Sequence, residues 1–249
     1  MRVVHAGPAI GLTALLALLG ALAGTVGLGA AGWLAGVSCG VIGSVLLARA
    51  LARHGTARLG PADRVTLTRA VLVGGVAALT ADSFAGPVSV PALVTLAAVA
   101  LVLDGIDGRV ARHTSTASQF GARFDLDVDA FLILVLSGYV ALSLGPWVLL
   151  IGLARYGLVA AGWWLAWLRE PAPPRYWCKV VAAIQGVVLT VVATGLAPHY
   201  LSAAAVLLAL ALLAESFGRE AWWKWRHQPV ERDPTRVVVT LLGGQVRAG

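Results

Sequence analysis

The residues of this chain that can do chemistry are concentrated in one short stretch. Of its eight aspartates, five fall between positions 104 and 129, in or beside apolar segments where an ionised carboxylate costs roughly 2.5–3.5 kcal/mol to insert. Several such groups together call for compensation by metal ions, water or a basic partner. At about 100° per residue on a helix, Asp104 and Asp107 share one face, and Asp125 and Asp129 share another. Two carboxylate pairs can thus face each other across one groove. Asp127, roughly 200° from Asp125, points away and reads as an interfacial or structural group. With no His or Cys among them, four converging carboxylates are hard oxygen donors of the kind that suit Mg2+ or Mn2+. Four such groups can hold two ions, and two divalent ions about 3.5–4 Å apart suit phosphoryl displacement, clamping substrate phosphates and stabilising charge on the attacking and leaving oxygens. Gly105, Gly108 and Gly121 either let a bulky ligand approach helix backbone or let helices pack closely.

The elements that must position these groups are set by composition. Of 249 residues, 59% are hydrophobic and 12% charged, against roughly 25% charged in an ordinary soluble domain, which excludes a soluble globular fold. The expected class is all-α: a polytopic integral membrane helical bundle. Windows of about 20 apolar residues place spans near 8–27, 29–50, 65–82, 89–108, 125–144, 147–168, 178–197 and 200–220. The first two nearly abut, with Gly27, Leu28 and Gly29 available for the turn.

Alternate connections differ in basic content. Arg49, Arg53, Arg58 and Arg64 precede the third span; Arg109, Arg112 and Arg123 follow the fourth; Arg169, Arg175 and Lys179 follow the sixth; Arg219, Lys224 and Arg226 end the eighth. The connections near 28, 82–88, 144–146 and 197–199 contain no Lys or Arg. The positive-inside rule then predicts both termini and the carboxylate groove on the cytoplasmic side. The net charge of +7 is distributed around apolar segments, which points to anionic headgroups rather than nucleic acid. Trp163, Trp164, Trp167, Trp177, Trp222, Trp223 and Trp225 cluster at the same ends, as an interfacial belt does. Cys39 and Cys178 form no CxxC pair and read as packing residues. Met1–His5 followed by an apolar run also fits a signal peptide. Residues 51–62 read as an interfacial segment, and those after Arg226 as a tail without helical period. Arg155, in mid-span, needs a partner inside the bundle, and Glu215 is the candidate. No phosphate loop of the GxxxxGK[ST] kind, no HExxH and no GxSxG occurs.

The stretch from Asp104 to Asp129, DGIDGRVARHTSTASQFGARFDLDVD, resembles the signature D-x2-D-G-x2-A-R-x8-G-x3-D-x3-D of the CDP-alcohol phosphotransferase (CDP-alcohol phosphatidyltransferase) family, agreeing at all eight fixed positions. A weaker likeness precedes it: DRVTLTR, from Asp63 to Arg69, is similar to the family's N-x-x-T-x-x-R segment near the nucleotide, with Asp63 in place of the usual Asn. That exchange removes an amide donor beside a phosphate site. The resemblance implies a six-helix catalytic domain over residues 63–226; the two extra transmembrane helices and interfacial segment over 1–62 and the cytoplasmic tail over 227–249, read from composition, are additions that it does not explain. It implies transfer of a substituted phosphate, typically phosphatidyl from CDP-diacylglycerol, to an alcohol or phospho-alcohol with release of CMP.

It also implies roles for particular residues. Asp104, Asp107, Asp125 and Asp129 would hold two Mg2+ or Mn2+ ions, Asp129 would serve as general base, and Thr66, Gly108, Ala111, Arg112 and Gly121 would face the CDP moiety. Homodimerisation is a further implication of the family. Arg155, Lys179 and Arg219 are candidates to receive a phosphate on the acceptor, with an ion pair to Glu215 the structural alternative for Arg155. A divalent-cation transporter or binding protein using the same aspartates is the rival reading, and it would need acidic groups along a route to both faces.

Overall fold

The computed structural model describes residues 6–54, 61–114, 119–165 and 176–226. Within them the chain forms eight α-helices: α1 (Ala6–Thr25), α2 (Ala30–His54), α3 (Pro61–Ser83), α4 (Val90–Thr114), α5 (Gln119–Leu144), α6 (Leu149–Trp164), α7 (Tyr176–Ala193) and α8 (His199–Arg226). A single 3-10 turn, Pro146–Val148, leads into α6. Six of the eight are long and apolar enough to cross a membrane. In α4 and α7 the apolar stretches are shorter, Val90–Gly105 and Val180–Ala193. The chain is an all-α, multi-pass membrane bundle.

The helices run past the apolar windows at several ends. The fourth span, expected to close near 108, continues to Thr114, and the fifth opens at Gln119 rather than near 125. Charged residues end a hydrocarbon-crossing window, but they do not end the backbone hydrogen-bond ladder once it reaches water. The expected interfacial segment is divided: residues 51–54 belong to α2, and Pro61, at the first helical position where its missing N–H costs nothing, opens α3. Residues 55–60, residues 166–175 with Trp167, Arg169 and Arg175, residues 1–5 and those after Arg226 lie outside the described residues.

At the centre stands α3. Over half of its span, 56%, is buried, against 22–33% in the other five candidate spans, and it packs against α1, α2, α4 and α5. Small residues make this possible. A Cβ on Gly74 would fall 2.8 Å from Leu15 Cδ1, and one on Gly75 would fall 2.9 Å from Leu18 Cδ2, so α1 lies directly on α3 backbone. Val76, Leu79, Leu93, Ala97, Leu136 and Val140 form the adjoining core of α3, α4 and α5. The α1–α2 hairpin turns at Gly27, whose φ of +76° lies in the left-handed region that favours glycine. It is latched to α3 by Asp82, which accepts hydrogen bonds from the N–H groups of Gly29 at 2.7 Å and Gly32 at 3.3 Å. A carboxylate from another helix thus satisfies orphan donors at the start of α2 and complements its dipole. The exposed Trp163, Trp164, Trp177, Trp222 and Trp225 lie at the end of α6, the start of α7 and the end of α8, the last together with Lys224 and Arg226, as in an aromatic belt.

Candidate active site

Three carboxylates meet where α3, α4 and α5 converge. Asp104 comes from α4, and Asp125 and Asp129, one turn apart, come from α5. One carboxylate oxygen from each lies within 4.8 Å of the others. Between them sits Arg69 of α3, its side chain 0% exposed. Arg69 Nη1 lies 3.0 Å from Asp104 Oδ1 and also donates to Asp125 Oδ1, while Nη2 donates to Asp129 Oδ1. The carboxylates are themselves part-exposed, about a quarter to a third. The cluster is therefore lined by its cation on the protein side and open on the other. Val73, Ala100 and Leu132, about one turn deeper along α3, α4 and α5, are buried, so apolar core closes the floor.

The electrostatics follow from this arrangement. Like-charged carboxylates at such spacing repel, and desolvating them costs more still unless a cation compensates. One guanidinium against three carboxylates leaves a formal excess of two negative charges. The donors are all oxygen. That set matches the charge and ligand preference of a divalent Mg2+ or Mn2+ ion.

Thr66 is buried one turn before Arg69, and Gly121 lies one turn before Asp125, half-buried. Gly105 is exposed, and among the described residues a Cβ built on it would meet nothing within 4 Å beyond its own helix backbone. Unbroken helix continues through Asp107, Gly108, Ala111 and Arg112, but their side-chain surroundings lie outside the described residues.

Two of the basic candidates, Arg155 and Arg219, have carboxylate partners of their own. Arg155 has Asp127 as partner, Nη2 to Oδ1 at 3.7 Å, and not Glu215. Glu215 instead pairs with Arg219 one turn along α8 and accepts a hydrogen bond from Trp177 Nε1 at 3.1 Å. The reason is packing. A Cβ on Gly152 would fall 2.6 Å from Leu134 Cα, so α6 lies against α5 at close range, and Arg155 meets α5 on the face that Asp127 presents. That carboxylate is 77% exposed, pointing away from the cluster as its 200° offset requires. The side chain of Lys179 lies outside the described residues. A cavity of about 540 Å³ between α6 and α8 takes in Arg155 with Glu220 and Lys224, and none of the three clustered aspartates lines it.

Arg69 was present in the sequence as the last position of the DRVTLTR segment, with no role attached to it. The available signal was a lone arginine several residues inside an apolar span, which needs buried carboxylates for company.

A family model described as CDP-alcohol phosphatidyltransferase matches residues 59–215. The match takes in α3 to α7 and most of α8, well over half of the chain, and leaves α1 and α2 outside. No curated protein and no solved structure matches.

Proposed function

From the premise that this chain belongs to the CDP-alcohol phosphatidyltransferase family, we propose that it transfers a phosphatidyl group from CDP-diacylglycerol to an alcohol acceptor, releasing CMP. The observation that carries this reading is the convergence of Asp104, Asp125 and Asp129 from two helices on one buried arginine. In this reading Asp104, Asp107, Asp125 and Asp129 hold two divalent ions, Mg2+ or Mn2+. When bound, the ions supply charge neutralisation to the donor's pyrophosphate and lower the cost of charge on the departing oxygen.

The residues of the chain do the rest. Asp129, engaged by Arg69 through Oδ1, offers Oδ2 to take the acceptor hydroxyl proton. The acceptor oxygen then forms a bond to the phosphorus bearing the diacylglycerol. The bond from that phosphorus to the bridging oxygen breaks, and CMP leaves with the bonding pair. Thr66, Gly108, Ala111, Arg112 and Gly121 flank the CDP moiety, and the exposed backbone at Gly105 gives the ligand room. The open side of the cluster faces the cytoplasm, where soluble CMP and a polar acceptor exchange, while the donor enters from the bilayer. No acceptor contact is assigned to Arg155 or Arg219, whose partners are Asp127 and Glu215.

The test is a screen on the purified full-length protein in detergent with CDP-diacylglycerol and Mn2+ or Mg2+. Glycerol phosphate, inositol phosphate, inositol, serine and phosphatidylglycerol serve as acceptors, with CMP and the lipid product followed by mass spectrometry. One acceptor is expected to yield stoichiometric CMP and a new phospholipid. Divalent-cation flux in liposomes with no CMP from any acceptor would replace this reading with transport.

A further inference from the structure

We infer that Arg69 is the resident counter-ion of the carboxylate cage, a positioning residue that holds Asp104, Asp125 and Asp129 together before any divalent ion enters and opposes that entry. The inference rests on the proposed function in one respect, that the cage takes divalent ions.

Its grounds are burial and partner identity. An arginine that reads a substrate phosphate presents N–H groups to open space, whereas the Arg69 side chain is 0% exposed and its two terminal nitrogens are directed at three carboxylates. The carboxylates come from two helices, α4 and α5, and their oxygens lie within 4.8 Å of one another. Without a positive charge, mutual repulsion would drive these helix ends apart. Arg69 reaches across from a third helix and ties the two together. Guanidinium keeps its proton at any accessible pH, so the tie does not switch off by titration.

The same geometry makes Arg69 a competitor. It engages one oxygen on each carboxylate, so a divalent ion entering the cage shares carboxylates that already have a cation and meets that cation's repulsion at short range. Removing the guanidinium therefore raises the free energy of the ion-free cage more than that of the loaded cage. By linkage, the variant should bind the ion more tightly and gain more stability from it.

The experiment measures Mn2+ binding by electron paramagnetic resonance and thermal unfolding with and without Mn2+, on full-length protein in detergent. For Arg69→Met the expectation is Mn2+ binding at least tenfold tighter than wild type, a lower unfolding midpoint without Mn2+, and a larger rise in midpoint on adding it. Arg69→Lys, which keeps one charge but loses the fork that spans three partners, should fall between the two proteins in every measurement. Equal or weaker Mn2+ binding by Arg69→Met overturns the inference. If that variant cannot be recovered, Arg69→Lys indistinguishable from wild type overturns it. CMP release by wild type separates this outcome from failure of the functional reading. Mn2+ binding with the expected variant shifts but no CMP from any acceptor removes the function and keeps the counter-ion. CMP release with no shift in the variants removes only the counter-ion.

Discussion

Two groups of ion pairs at the α3–α5 and α6–α8 sides of the bundle use the same residue types to opposite ends. Around Arg69, one fully buried guanidinium serves three part-exposed carboxylates. On the other side, Arg155 of α6 meets Asp127 of α5, and along α8 Arg219 meets Glu215 and Lys224 meets Glu220. Arg155 and Arg219 are 40% and 67% exposed. Water already solvates the Arg155 and Arg219 pairs, so these two contribute little, while Lys224 and Glu220, 12% and 29% exposed, sit deeper. The Arg69 group has exchanged water for protein charge and depends on every partner. Burial, more than the presence of a pair, separates a charge that shapes the bundle from one that decorates it.

The largest expected effect tests the buried group. Arg69→Met should destabilise the ion-free protein by about 3–5 kcal/mol, because three carboxylates lose their compensating charge; chemical unfolding in detergent with a chelator present measures it. Asp129→Asn should lower CMP release by about 10²–10⁴-fold, the contribution expected of a positioned general base, a loss that persists at Mn2+ concentrations high enough to offset the missing ligand charge. Retained turnover would move the base elsewhere. A smaller effect belongs to a third charge, remote from both groups. Asp82→Ala should cost about 1 kcal/mol as a lost helix cap, with Mn2+ affinity unchanged, which would show that the latch serves the hairpin and not the cage. Smallest is Arg219→Gln, expected to change stability by less than about 0.5 kcal/mol. A loss comparable to that of Arg69→Met would erase the contrast between the two sides.

Much of this was legible from spacing within single helices. The shared face of Asp125 and Asp129, and the outward direction of Asp127, follow from the helical repeat alone, as does the hairpin at Gly27 from the short gap between two apolar windows. What spacing does not carry is which helix meets which. The pairing of Arg155 with Asp127 instead of Glu215 depends on α6 lying against α5 at Gly152 and Leu134, a contact written in side-chain volume. Arg69 shows the same limit. Its motif position was visible in the sequence, but the meeting of α3 with both α4 and α5 that surrounds it with aspartates is a property of the packed bundle. Helix ends escaped for a different reason: windows of hydropathy track the hydrocarbon, and α4, α5 and α8 continue beyond it.

The Asp82 latch has a consequence for biogenesis. The amides it satisfies at Gly29 and Gly32 are made some fifty residues before the carboxylate itself, since the hydrogen bonds span 53 and 50 positions. A ribosome therefore delivers the α1–α2 hairpin to the insertion machinery well before its clasp exists. The hairpin waits, its second helix uncapped, until the far end of α3 has been threaded through. Any pause in translation between those two points leaves an intermediate whose first two helices are inserted but not yet fastened.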